Sequence, residues 1–253
     1  MVIQRYALIA TEGPHDQAAI GKILEMSGLV KFNGEYRLLD PFWGKFVTTY
    51  PSPNQKVYTR IEVPSIYYSE QYSIAIFQGG GSSLRKRLKA TLTNNPQYHE
   101  DIYAFGVVVD TDEGQPIDIT RRLSNELKMF FPNIPDIPGH VSENNPRTGI
   151  YVLPDNKTPG TLDSILIKCA DYSYPDHKAG ATKYLSELNN EHKAHWGPFG
   201  FEKSLVATIT SVLLPGLTNT ASIAQQTWIC EASLSSVVEL DSLSRFLRNL
   251  LTL

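Results

Sequence analysis

The sequence predicts an α/β fold: a mostly parallel, doubly wound sheet flanked by helices, with a β-rich insertion over 30–72 and a helical C-terminal extension over 171–253. Three observations predict it. Short, unbroken apolar runs of β-formers alternate with longer stretches whose apolar residues recur at helical spacing. The runs lack polar alternation, as strands covered on both faces do. An acidic residue follows three of the four runs, at strand ends where open α/β sheets place their sites.

The first run, Arg5 to Thr11, is broken by Glu12-Gly13-Pro14. Ala18, Ala19, Ile20, Ile23, Leu24 and Met26 then fall on one helical face, with Pro14 suited to the first turn and Gly28 to the stop. The insertion holds Tyr36, Phe42, Trp43, Phe46, Tyr50, Tyr58, Tyr67, Tyr68 and Tyr72, four prolines and no helical period. These aromatics either form a small core of their own, cover the sheet edge, or stack bases. Ser73 to Phe77 is the second buried strand. Gly79-Gly80-Gly81-Ser82-Ser83 leads into a helix over Leu84 to Leu92; the glycines serve either a tight turn or a phosphate cradle. On that helix Arg85, Lys86, Arg87 and Lys89 make either a solvated face or a phosphate track.

Tyr103 to Val109 is the third strand and ends at Asp110-Thr111-Asp112-Glu113-Gly114. A helix over Ile117 to Phe131 and a Pro-rich link lead to the fourth strand, Gly149 to Leu153. Helices are expected near 163–170, 177–190, 201–213 and 236–252. In the last of these, Leu240, Leu243, Phe246, Leu247, Leu250 and Leu251 make either core or a dimer face.

At 253 residues and net charge −3, the chain reads as a single domain over 1–253 with a core large enough to need no staple. Its 42% hydrophobic content excludes a disordered polyelectrolyte. Two distant cysteines, Cys169 and Cys230, exclude a zinc ribbon or a disulfide framework. There is no GxxxxGK[ST] loop, and no apolar run reaches the ~18 residues of a membrane span. The first ten residues show no secretory pattern, so the expected location is the cytoplasm, away from any membrane. His15 reads as a surface turn residue, and Asp155-Asn156 as a turn.

The acidic residues at strand ends are Glu12, Asp110, Asp112, Asp155 and Asp163. Two carboxylates ~4 Å apart repel by about 4 kcal/mol at an effective dielectric near 20. Such a cluster calls for a cation, and hard divalent ions take oxygen ligands. In an extended chain alternate residues share a side, so Asp110 and Asp112 can serve one site. Asp16 is either a helix-dipole charge or a ligand; Asp112 an Asx turn or a ligand; Asp163 an exposed first-turn acid or a ligand.

Glu12-Gly13-Pro14-His15-Asp16, between a strand and a helix, resembles the E-G-x-x-D signature of Toprim domains, and Val107-Val108-Val109-Asp110-Thr111-Asp112 resembles their later DxD. Toprim domains occur in topoisomerases, bacterial primases, recombination-repair proteins and OLD-type nucleases. The segment from Gly149 to Leu166 resembles stand-alone bacterial Toprim-like proteins of uncharacterised function.

The resemblance implies a Toprim-like (Rossmann-like) fold and a Mg²⁺- or Mn²⁺-dependent nuclease or related phosphotransferase acting on DNA or RNA. Glu12, Asp16, Asp110 and Asp112 would gather round a first metal, with Glu12 also acting near the scissile phosphate. Asp163 would be the late acid of a second metal, and Lys203 the assisting lysine, with Lys178 and Lys183 the other downstream candidates. OLD proteins carry an ATPase that this sequence lacks, which implies a separate ATPase or other protein partner; a homodimer is the other assembly considered. The alternative is a non-catalytic nucleic-acid-binding or regulatory module on the same scaffold. The DxDx[TV] pattern of haloacid-dehalogenase-like phosphatases fits poorly, because Glu113 and Gly114 follow Asp112 and the DxD lies far from the first strand.

Overall fold

A computed structural model describes residues 4–46 and 64–253. The chain opens with β1 (Arg5–Thr11) and α1 (Pro14–Met26). Pro14 occupies the first helical turn, and Gly28, just past the end, sits at φ 89°, the left-handed conformation that glycine supplies without strain. The described part of the insertion contributes two short strands, β2 (Val30–Lys31) at the sheet edge and β3 (Ser65–Tyr68) beside it, with two single 3₁₀ turns between β2 and residue 46. Tyr50 and Tyr58 lie outside the described residues.

Next come β4 (Tyr72–Gln78), α2 (Leu84–Asn94), α3 (Gln97–Glu100), β5 (Ala104–Asp110) and α4 (Pro116–Leu127). The α4 helix stops four residues short of the expected Phe131, which instead turns back and stacks on Phe105 with ring centroids 4.1 Å apart. Then follow β6 (Val141–Ser142) and β7 (Arg147–Leu153). The helical part comprises α5 (Leu162–Ser173), α6 (Pro175–Glu187), α7 (Asn190–Lys193), α8 (Gly200–Leu213), α9 (Asn219–Gln225), α10 (Glu231–Ser236) and α11 (Val238–Leu251).

The strands form one sheet in the order β2-β3-β4-β1-β5-β7-β6. The inner four, β4, β1, β5 and β7, run parallel; the outer three are antiparallel to their neighbours. All four parallel strands therefore deliver their carboxyl ends to one rim. Side-chain alternation sends Ala7, Ile9, Ile74, Ile76, Ala104 and Val108 to one face, under α1, α5, α8, α10 and α11. It sends Leu8, Ala10, Ala75, Phe105, Val107 and Val109 to the other, under α2, α4 and the insertion's aromatics. Both faces are covered, which explains the unbroken apolar runs.

Two alternatives left open by the sequence close here. The aromatics of the described insertion are core or packed against it, except Tyr68, which is exposed: Trp43 is fully buried, stacks on Tyr98 at 5.5 Å and donates from Nε1 to Ser73 Oγ at 2.9 Å. The α11 helix is core as well. Leu240, Leu247 and Leu250 are buried against β5 and β7, where the paired glycines Gly106 and Gly149 let the helix approach. A Cβ at Gly106 would stand 2.6 Å from Leu250 Cδ2.

Candidate metal and phosphate site

The rim is built by hydrogen bonds between backbone segments. Past Thr11 the β1 backbone is held by the glycine-rich turn: Gly79 N donates to Thr11 O at 2.8 Å and Gly81 N to Glu12 O at 2.7 Å. The turn's glycines are thus spent on close approach, with Gly80 at φ 76° and Gly81 at φ 61°. A Cβ at Gly79 would lie 2.3 Å from Leu84 Cα, so something in the backbone must move. Gly79→Ala is expected to cost about 1–3 kcal/mol, toward the upper end because the clash is with main chain. Urea unfolding reads it directly, and a wild-type midpoint would show that the turn yields freely.

Glu12 follows this anchored strand end and is half-buried. Asp16, in the first turn of α1, is 5% exposed and accepts a hydrogen bond from Gly13 N on Oδ2 at 2.9 Å. Asp110 is the last residue of β5; its Oδ1 accepts from Leu162 N, at the start of α5, at 2.9 Å. That N–H is one of the donors a helix start leaves unused, and it carries the helix's positive end toward a carboxylate. Asp163 is the next residue of α5 and is 7% exposed.

Glu12, Asp16, Asp110 and Asp163 line one cleft of about 340 Å³, together with His15, Gly81, Asn219 and Lys203. The expected lysine is therefore there, entering from the first turn of α8. Of the other two downstream lysines, Lys178 pairs with Asp171 at 2.6 Å, and neither it nor Lys183 lines the cleft.

Asp112 arrives differently from the way the pleat predicts. The strand ends at Asp110, and Asp112 sits at φ 49°, exposed, with its N–H donating to Gly160 O at 3.1 Å. It stands outside the cleft lining and acts on the site through its charge, which raises the pKa of both Glu12 and Asp110. Asp155 is the turn residue expected: its Oδ1 accepts from Lys157 N and Thr158 N at 2.9 and 2.8 Å. The basic run on α2 is mainly a solvated face, with Arg85 paired to Glu126 at 2.7 Å.

Electrostatics confirm the crowding. Burial, then the charges of Asp16 and Glu12, push the Asp110 carboxyl up to about 9, against the opposing hydrogen bond from Leu162. Burial likewise pushes Asp16 up to about 7, opposed by the Gly13 hydrogen bond and reinforced by Glu12 and Asp163. Burial and Asp112 raise Glu12, while Arg122 and Lys203 draw it down. Burial raises Asp163, with His15 and Lys203 opposing.

The consequence for stability has a definite sign. A carboxyl whose folded pKa is raised contributes stability that is full below its unfolded pKa near 4 and is lost as pH climbs through the folded value. Without metal, the melting temperature is therefore expected to fall between pH 6 and 9, more steeply than in Asp110→Asn. Mn²⁺ is expected to raise it more at pH 8.5 than at pH 6, since binding displaces protons. Calorimetry at the two pH values, with and without Mn²⁺, checks this; equal slopes in wild type and variant would show that the carboxyl is unperturbed.

Three contributors were not singled out from the sequence. His15, read there as a surface turn residue, is half-buried and lines the cleft with Asp163 and Lys203, whose charges both act on it. Its place inside the Glu12–Asp16 motif was the available signal. Asn219 comes from α9, a short polar helix without periodicity, and Arg122 from the exposed face of α4.

Does this donor set fit a divalent cation? Its chemistry does: the donors are carboxylate oxygens, and the like charges crowd a half-enclosed space. It is not a closed cage: among the described residues no group of three or more His, Cys, Asp or Glu side chains stands so that it could hold an ion. Mg²⁺ needs no such cage, taking one or two carboxylates and completing its shell with water and phosphate.

Among the described residues no helix is long and apolar enough to cross a membrane. No curated protein matches the chain. Among solved structures, a hypothetical protein from Pyrococcus horikoshii OT3 is similar over 96% of this chain and 100% of its own, with a TM-score of 0.54 and 17% identity, a likeness of fold alone. The model of one family, described as a protein of unknown function (DUF3226), matches residues 6–252, and the chain belongs to that family.

Proposed function

We propose that the protein is a Mg²⁺- or Mn²⁺-dependent phosphodiesterase acting on DNA or RNA, a Toprim-type nuclease or related phosphotransferase. One observation carries the reading: Glu12, Asp16, Asp110 and Asp163 crowd a single cleft with Lys203, at the carboxyl ends of the adjacent parallel strands β1 and β5. Asp110 with Glu12 or Asp16 would hold one ion, its shell completed by water and phosphate, Asp112 would add charge from outside the cleft lining, and Asp163 would help a second. When bound, the ions polarise a phosphoryl oxygen and make a nucleophilic hydroxide available at neutral pH.

The chain's own groups do the rest. Lys203, exposed at the mouth of the cleft, offers positive charge to the phosphate oxygens as negative charge develops. Glu12, held above the ordinary carboxylate range, is suited to exchanging a proton beside the phosphate. The same reading puts the protein in the cytoplasm, with a separate ATPase or a second copy as its protein partner.

The open arrangement of the carboxylates favours a second reading, a Toprim-like scaffold that binds nucleic acid or regulates a partner without cutting. Incubating the purified protein with supercoiled and linear plasmid in Mg²⁺ or Mn²⁺ separates the two. Cation-dependent cleavage supports the first. Mn²⁺ binding without cleavage, or neither, supports the second.

A further inference from the structure

A larger cleft of about 730 Å³ lies beside the carboxylate site. The two share Pro14 and His15 in their walls, so they are neighbours across the first turn of α1. Nothing in the proposed chemistry uses the larger one. Lys22 of α1 and Lys31 of β2 stand in its wall with Asn33, and hydroxyl and amide groups of α9, Thr220 and Gln225 among them, face it from the other side. One acid, Glu25, is also present and meets Lys22 at 3.9 Å, while among the described residues Lys31 has no ion pair. Tyr67 contributes no open ring: it is 3% exposed, and its hydroxyl lies so close to α1 that a Cβ at Gly21 would stand 2.0 Å from it.

We propose that this cleft holds a single strand of nucleic acid by its sugar-phosphate backbone, delivering one phosphodiester into the carboxylate cleft. The proposal rests on the phosphodiesterase reading and names its substrate class. Lysines with neutral donors, and no exposed aromatic ring among the described lining residues, suit backbone contacts rather than base stacking or base-edge readout. The volume lies within the range of small-molecule sites, enough for a short length of one strand, whereas a duplex presents a surface this cleft cannot admit.

The test is fluorescence anisotropy of a labelled mixed-sequence single-stranded 20-mer, with Ca²⁺ in place of Mg²⁺, at several salt concentrations. The expected result is that the charge-reversing pair Lys22→Glu and Lys31→Glu weakens binding about tenfold, and that the slope of log K against log salt falls by ~0.7 for each phosphate that is no longer neutralised. Lys89→Glu, on the solvated face of α2, serves as the control for general charge and is expected to bind as wild type does. Equal losses in the control and the groove variant would overturn the proposal, as would a duplex 20-mer binding as tightly as the single strand. Thymidine monophosphate displacing the strand with equal affinity would also overturn it, in favour of a nucleotide pocket. Hydrolysis of bis-p-nitrophenyl phosphate by the wild type, which needs only the smaller cleft, is measured alongside. Its absence counts against the phosphodiesterase reading, while the binding data still decide the groove.

Discussion

Asp110→Asn is expected to abolish cation-dependent cleavage, a loss on the order of a thousandfold, comparable to removing one preorganised electrostatic group from an active site. The fold is expected to survive it. Asn keeps the shape and an oxygen to accept from Leu162 N, the bond that ties the end of β5 to the start of α5. What it removes is a carboxyl whose ionisation burial, Asp16 and Glu12 oppose. At pH 8.5 without metal the variant is therefore expected to melt higher than wild type, by a margin that narrows as the pH falls and closes near pH 4, the unfolded carboxyl's pKa. Plasmid cleavage and melting are measured on the same preparations. Retained cleavage would remove Asp110 from the chemistry, and a variant that loses both cleavage and its cooperative melt would show the carboxylate to be structural.

The largest effect on stability is expected from Trp43→Ala, about 3–5 kcal/mol, the usual cost of deleting a buried aromatic. Trp43 is the centre of a ring cluster with Phe42 at 4.8 Å, Phe46 at 5.8 Å, Tyr98 at 5.5 Å and Tyr6 at 6.0 Å. Its Nε1 donates to Ser73 of β4, which pins the insertion to the strand beside β1. Trp43→Phe isolates that bond: Ser73 is 2% exposed, and an unpaired buried hydroxyl costs about 1–3 kcal/mol. Urea titrations of both variants, read by midpoint and slope, check the two figures. A loss below about 1 kcal/mol for Trp43→Ala, well under the usual range, would show that the insertion folds as a separate unit rather than as part of the sheet.

The inner strands were legible because burial on both faces erases the ambiguity of alternation: Ile74 to Phe77 and Val107 to Val109 have no polar residue to place. The ends of those strands were legible for the same reason, since the first charge after such a run marks where the core stops. Glu12 and Asp110 follow from this. The edge strands were not legible. Val30–Lys31 and Val141–Ser142 are two residues each, too short to carry a period. Nor was the arrival of Asp112, whose left-handed backbone is fixed by pairing with Gly160, remote in the chain, rather than by its neighbours. Asn219, which completes the cleft from the start of α9, leaves no local mark, whereas Gly81 belongs to the glycine run that the sequence offered as a turn or a phosphate cradle. For Asp163 and Lys203 the resemblance supplied what spacing could not.

The dispersal of the cleft along the chain also bears on how the molecule reaches its native state. Glu12 meets Asp110 only when β1 and β5 pair, and Asp163 and Lys203 join only when α5 and α8 have docked on the finished sheet. These are contacts between remote segments, the kind whose ordering cost must be met before any attraction returns it. The carboxylate repulsion, too, is felt only by the completed structure and not by the collapsing chain. A cation that relieves it should therefore leave the refolding rate nearly untouched and act almost wholly by slowing unfolding, the kinetic signature of an interaction absent from the transition state.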